Sequence, residues 1–157
     1  MKELTPDEPN DFPLARDQAG SPQFRVLVAD DDEMDRRLTI WHLGKARPVE
    51  RDMMVECAAD GAEALEQICN NRYALVVLDW NMPLQHGAEV LREIREKGLR
   101  VPVVVVSGQP REAIAHEVES MAATFVNKDE LDPGSFRSAI AASIQLQDEP
   151  GAIESSR

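Results

Sequence analysis

The chain has 157 residues, 43% of them hydrophobic, which suits one compact domain with short tails and is too apolar for a wholly disordered protein. A formal net charge of -12 argues against a direct nucleic-acid binder, because a phosphate backbone repels such a surface. The first residues lack the apolar stretch of a secretory leader and no apolar run is long enough for a bilayer, so a cytoplasmic protein without membrane contact is expected.

In chain order, residues 1–23 carry five Pro and Gly residues among scattered acids, and a flexible tail is expected there. FRVLVA (24–29) reads as a first strand. A helix to about Gly44 follows, with Met34, Leu38 and Trp41 at helical spacing and Asp31 or Asp32 as its cap. A looser segment, KARPVERD, leads to a second strand near Met53 to Ala58. Asp60-Gly61 then turns into a helix marked by Ala62, Leu65, Ile68 and Cys69. ALVVL (74–78) is continuously apolar, as a strand covered on both faces must be, and it ends at Asp79. WNMPLQHG forms a loop before a helix with Val90, Leu91 and Ile94 on one side. Val101 to Val106 is a β-branched fourth strand apart from Pro102. Ile114, Val118 and Met121 stripe the next helix, TFV (124–126) is a short fifth strand, and Asp132-Pro133 opens a last helix carrying Phe136, Ile140 and Ile144. Residues 148–157 resemble the first tail, which leaves 24–147 as the domain. Cys57 and Cys69 lack CxxC spacing, and two buried, reduced thiols are expected.

Five β-α repeats predict a parallel sheet with helices on both faces, whose ligands bind beyond the carboxyl ends of the strands. There the sequence concentrates its chemistry: Asp30-Asp31-Asp32 after the first strand, Asp79 after the third, Ser107 after the fourth and Asn127-Lys128 after the fifth. Taken singly, these are a helix cap, a turn residue, another cap and a surface charge. Together they bring carboxylates, a hydroxyl and an ammonium to one edge. Two carboxylates ~4 Å apart repel by about 4 kcal/mol at an effective dielectric near 20, so a cation is expected among them. Oxygen ligands without His or Cys favour Mg²⁺ or the similar Mn²⁺. His42, His86 and His116 are too scattered for a metal site, and Trp80 and Met82 are expected to pack at the edge.

VLVADDDEMDRR, LDWNMPLQHG, VVVVSG and FVNK together resemble the receiver domains of two-component response regulators over about residues 24–147, closest to the stand-alone, chemotaxis-type members. The resemblance implies a flavodoxin-like (βα)5 fold with strand order 2-1-3-4-5. It makes Asp79 the phosphoacceptor, Ser107 the switch hydroxyl, Phe125 the aromatic switch and Lys128 the partner of the phosphoryl group. Asp30, Asp31, Asp79 and the backbone carbonyl of Asn81 become the metal ligands, and Asn81 and Gln109 tune phosphoryl lifetime. The implied partners are a sensor or hybrid histidine kinase, or a histidine phosphotransfer protein, and an output protein bound in trans through the fourth helix, fifth strand and fifth helix. Such a domain is a phosphoacceptor rather than an enzyme with turnover.

Two departures stand out. The family has proline after its lysine, where this chain has Asp129, so a trans bond and a different loop path are expected, with consequences for where the Lys128 ammonium lies. Ala122, Ala123 and Thr124 replace the usual glycines before Phe125. The missing proline motivates one alternative, a phosphorylation-independent adaptor on the same fold. Asp30-x-Asp32, Ser107 and Lys128 motivate another, a phosphohydrolase of the haloacid-dehalogenase type.

Overall fold

Purely apolar strand sequences bury both faces here because each strand except the second is walled by helices on either side. The computed structural model describes residues 24–46 and 53–148. The strands are β1 (Phe24–Ala29), β2 (Met53–Ala58), β3 (Leu75–Asp79), β4 (Val103–Ser107) and β5 (Thr124–Asn127). The helices are α1 (Glu33–Ala46), α2 (Gly61–Asn70), α3 (Gly87–Glu96), α4 (Arg111–Ser120) and α5 (Pro133–Asp148), with a single 3₁₀ turn at Lys128–Glu130. All pairings are parallel and the order is β2-β1-β3-β4-β5, as expected. The expected tails and residues 47–52 of the looser segment lie outside the described residues, apart from Asp148 at the end of α5. No helix among the described residues is long and apolar enough to cross a membrane.

Two apolar clusters flank the sheet. One joins Leu27, Val76, Leu78, Val103 and Val105 to α2, α3 and α4. The other joins Val26, Val28, Val77, Val104 and Val106 to α1 and α5 through Leu43, Phe136 and Ile140. Alternate residues of each central strand therefore serve opposite layers, which is why β3 and β4 had to be apolar throughout.

One sequence expectation, the burial of the cysteines, needs correction, and two helices show which of their apolar residues face inward. Met34, Leu38 and Trp41 do share a face of α1, but it is the outer one: they are 71%, 50% and 54% exposed. The inward face carries Thr39, His42, Leu43 and Ala46, and it packs towards α5, where the Arg137 Nε donates to the Ala46 carbonyl at 2.7 Å. Cys57 and Cys69 are both exposed rather than buried. In α2, likewise, Ala64 and Ile68 point inward while Ala62 and Cys69 face solvent.

Candidate functional site

Strand register brings the polar strand ends level. Ala29 pairs with Leu78, which sets Asp30 beside Asp79; Asp79 pairs with Val106, and Ser107 with Asn127, leaving Lys128 as the next residue out. The loop after β3 folds tightly over this edge. Trp80 and Met82 are buried under it, and the Gly87 N–H donates to the Trp80 carbonyl at 3.0 Å. A Cβ on Gly87 would stand 2.6 Å from the Asp79 carbonyl oxygen, so only glycine lets α3 start this close to Asp79. Gly61 is equally constrained by the same loop, where a Cβ would meet the Gln85 carbonyl oxygen at 2.1 Å.

Asp30, Asp31 and Asp79 each present a carboxylate oxygen within 4.8 Å of the others. Asp30 and Asp79 are 1% and 3% exposed, whereas Asp31 faces solvent. Lys128 Nζ lies 3.4 Å from Asp30 Oδ2, 3.4 Å from Asp79 Oδ1 and 2.8 Å from Asp35 Oδ2. The trans Lys128–Asp129 bond thus reroutes the following loop into a 3₁₀ turn without withdrawing the ammonium. Burial pushes the Asp79 carboxyl up to about 6, the Asp30 charge adds to this, and Lys128 and an Asn81 backbone hydrogen bond only partly offset it. Asp30 is raised too, by burial first, against a hydrogen bond from the Asp32 N–H and the charge of Lys128. For Lys128 burial acts downward, but the Asp35 hydrogen bond and the charges of Asp79 and Asp30 outweigh it and hold the ammonium above the ordinary lysine range.

Four carboxylates and one ammonium leave this edge short of positive charge. At an effective dielectric near 20, two carboxylates about 5 Å apart repel by about 3 kcal/mol. Three hard oxygen donors, one of them open to water, fit a divalent cation that retains part of its hydration shell.

Asp32 is the helix cap, with Oδ1 accepting from the Asp35 N–H at 3.0 Å. Ser107 is fully buried and its Oγ accepts from the Gln109 N–H at 3.1 Å. Gln109 Nε2 donates to Asn81 Oδ1 at 3.3 Å, so these two side chains meet beside Asp79. Phe125 is 6% exposed, under the Arg111 guanidinium at 5.3 Å from its ring centre. Arg111, Phe125, Glu130 and Leu146 border a cavity of about 650 Å³ between α4, β5 and α5. His86 and His116 are exposed and apart from these groups.

Sequence reasoning missed two residues here and the role of a third. Asp35 makes the shortest contact to Lys128 from 93 positions away, and its only signal was its place in the first turn after the acidic run. Arg36 fixes that run by donating to the Asp30 carbonyl at 2.7 Å. Asn127 bridges two loops, a role nothing in its neighbours indicates.

The response regulator receiver domain family matches residues 26–141. The transcriptional regulatory protein TctD of Salmonella typhimurium is 37% identical over 98 residues, 62% of this chain and 41% of that protein. The response regulator MprA of a Mycobacterium species is 37% identical over 97 residues, 62% of this chain and 39% of that protein. The chain therefore spans about two fifths of the length of these curated relatives. Among solved structures, the receiver domain of the Francisella response regulator 1452 superposes with a TM-score of 0.63 at 26% identity, covering 78% of this chain and 98% of that one. With most of its length matched and its strand order that of the fold, this chain belongs to the response-regulator receiver domains of two-component signalling.

Proposed function

We propose that Asp79 accepts a phosphoryl group from a phosphohistidine on a sensor or hybrid kinase, or on a phosphotransfer protein, and that the phosphorylated domain signals to an output protein in trans. The observation that carries this reading is the buried Asp79 carboxylate, with Lys128 Nζ at 3.4 Å and two further carboxylates within 4.8 Å. An Asp79 oxygen attacks phosphorus as the P–N bond breaks, and the imidazole nitrogen leaves with the electron pair. Lys128 pairs with the phosphoryl oxygens as a point charge. Asp30, Asp31, Asp79 and the Asn81 carbonyl would hold Mg²⁺ or Mn²⁺, which neutralises charge as it develops on the transferring group. Ser107 then turns from the Gln109 N–H towards the new phosphoryl group, and Phe125 follows, shifting the population of states of the surface around α4, β5 and α5.

The apolar stripe of Met34, Leu38 and Trp41 supports a protein as donor, because it starts in the helical turn whose Asp35 holds Lys128. Treatment with a small acyl phosphate and Mg²⁺, followed by mass spectrometry, should place one phosphoryl group on Asp79; modification elsewhere refutes the assignment. The adaptor alternative loses its motive, since Asp129 leaves Lys128 in contact with Asp79. It would return if Asp79→Asn captured the same partners as wild type with beryllofluoride, which stands in for the phosphoryl group.

A further inference from the structure

Asn127 is the last residue of β5, paired with Ser107 and immediately before Lys128. Its two side-chain atoms face different loops. Nδ2 donates to the Gln109 carbonyl at 2.8 Å, and Oδ1 accepts from the Asp129 N–H at 2.8 Å. Gln109 in turn donates its own N–H to Ser107 Oγ and its side-chain amide to Asn81. One amide thus joins the loop that carries the hydroxyl to the turn that carries the ammonium. The second bond exists only because residue 129 has an N–H to give, which a proline would lack.

We propose that Asn127 is a positioning residue that makes the Ser107–Gln109 loop and the Lys128 turn move as one unit. The proposal rests on the reading of Asp79 as phosphoacceptor. Through Oδ1, Asn127 sets the 3₁₀ turn that aims Lys128 at Asp79; through Nδ2, it holds Gln109 against Asn81, over the path by which water would reach a phosphoryl group. Each arm predicts its own kinetic effect, on acceptance and on lifetime respectively.

Threonine at 127 separates the arms. Its hydroxyl can still accept from the N–H two residues on, as serine and threonine do in turns, but it is too short to reach the Gln109 carbonyl. The experiment measures three quantities in the full chain: the rate of Asp79 labelling by acyl phosphate, the lifetime of the label, and Mg²⁺ affinity by calorimetry. Asn127→Ala should label on the order of ten-fold more slowly and lose its label several-fold sooner, with Mg²⁺ affinity within about two-fold of wild type. Asn127→Thr should recover most of the rate and none of the lifetime. Asn127→Ala with wild-type rate and lifetime overturns the proposal, as does Asn127→Thr matching alanine in rate. A fall in Mg²⁺ affinity that parallels the rate would mark a general collapse of the edge and also overturn it. Failure of wild type to label at Asp79 sinks the phosphoacceptor reading and the coupling with it, so the two failures are told apart by the wild-type arm.

Discussion

The two ends of the sheet both hold charge away from water, and they resolve it in opposite ways. At the amino ends of β4 and β5, the Arg95 guanidinium donates to four backbone carbonyls: Nε to Met121, Nη1 to Leu99 and Val101, and Nη2 to Ala122, all between 2.9 and 3.1 Å. Burial pushes it down to about 10, with the Arg100 charge adding, which leaves it charged at neutral pH. No carboxylate is needed, because the carbonyls of α3's exit loop and of the α4–β5 turn satisfy every bond it makes. At the carboxyl ends, Asp30, Asp35 and Asp79 share one lysine, and Asp31 adds a further carboxylate beside them. One end is electrostatically complete and serves stability; the other is incomplete and is therefore responsive.

Breaking the complete end should have the largest effect. Arg95→Ala strips four carbonyls of a charged donor, and a loss of about 3 kcal/mol in urea unfolding is expected. Arg95→Lys should recover only part of this, because an ammonium cannot span the four carbonyls in one plane. If Arg95→Ala unfolded at the wild-type midpoint, water would be satisfying those carbonyls and the contrast between the two ends would fail.

The incomplete end should respond to added cation. Saturating Mg²⁺, at about one hundred times its dissociation constant, should stabilise the protein by about 2.7 kcal/mol, and EDTA should reverse this. Asp30→Asn should abolish most of the response, whereas Arg95→Lys should leave it intact. A melting temperature indifferent to Mg²⁺ would contradict the proposed ligand set.

The same deficit predicts a gain in stability on removing a functional group. The Asp79 carboxyl is raised from 3.8 to about 6, so its ionisation opposes folding. The penalty is absent below about pH 4, grows between pH 4 and 6 and is complete above. Without metal, Asp79→Asn should therefore be more stable than wild type by about 2–3 kcal/mol at pH 7.5, with the difference vanishing near pH 4. A pH-independent difference would mean that the asparagine acts through packing instead.

The architecture was legible because buried parallel strands announce themselves as unbroken apolar runs, and Asp79, Ser107 and Lys128 sit where such runs stop. Asp30 and Asp31 were legible for the same reason. Side-chain partnerships were not, since Lys128 and Asp35 meet only through the fold, and Arg95 binds carbonyls that every residue possesses. The α1 faces were not legible, because apolar spacing reveals a helix without saying which side is covered. Here Thr39 and His42 are inside and Trp41 is out. Cys57 was misjudged because β2 is an edge strand, and the covering of its neighbours does not extend to it.

The smallest effect tests how complete the Arg95 end is. Ala122 has φ +58°, in the left-handed region, between α4 and β5. Its carbonyl accepts from both Arg95 Nη2 at 3.1 Å and Gln147 Nε2 at 2.9 Å, so two side chains on different helices hold the strained turn. An alanine there costs about 1 kcal/mol relative to glycine in conformational strain, against which glycine loses more entropy on folding. Ala122→Gly should therefore stabilise by no more than about 0.5 kcal/mol, read as a small rise in urea midpoint at constant slope. In an Arg95→Ala background the turn is held at one point fewer and can relax out of the left-handed region, so the benefit of glycine should shrink, giving a coupling in the double-mutant cycle. Strict additivity would mean that the carbonyl bonds and the backbone strain are independent, and that the turn keeps its left-handed geometry without Arg95.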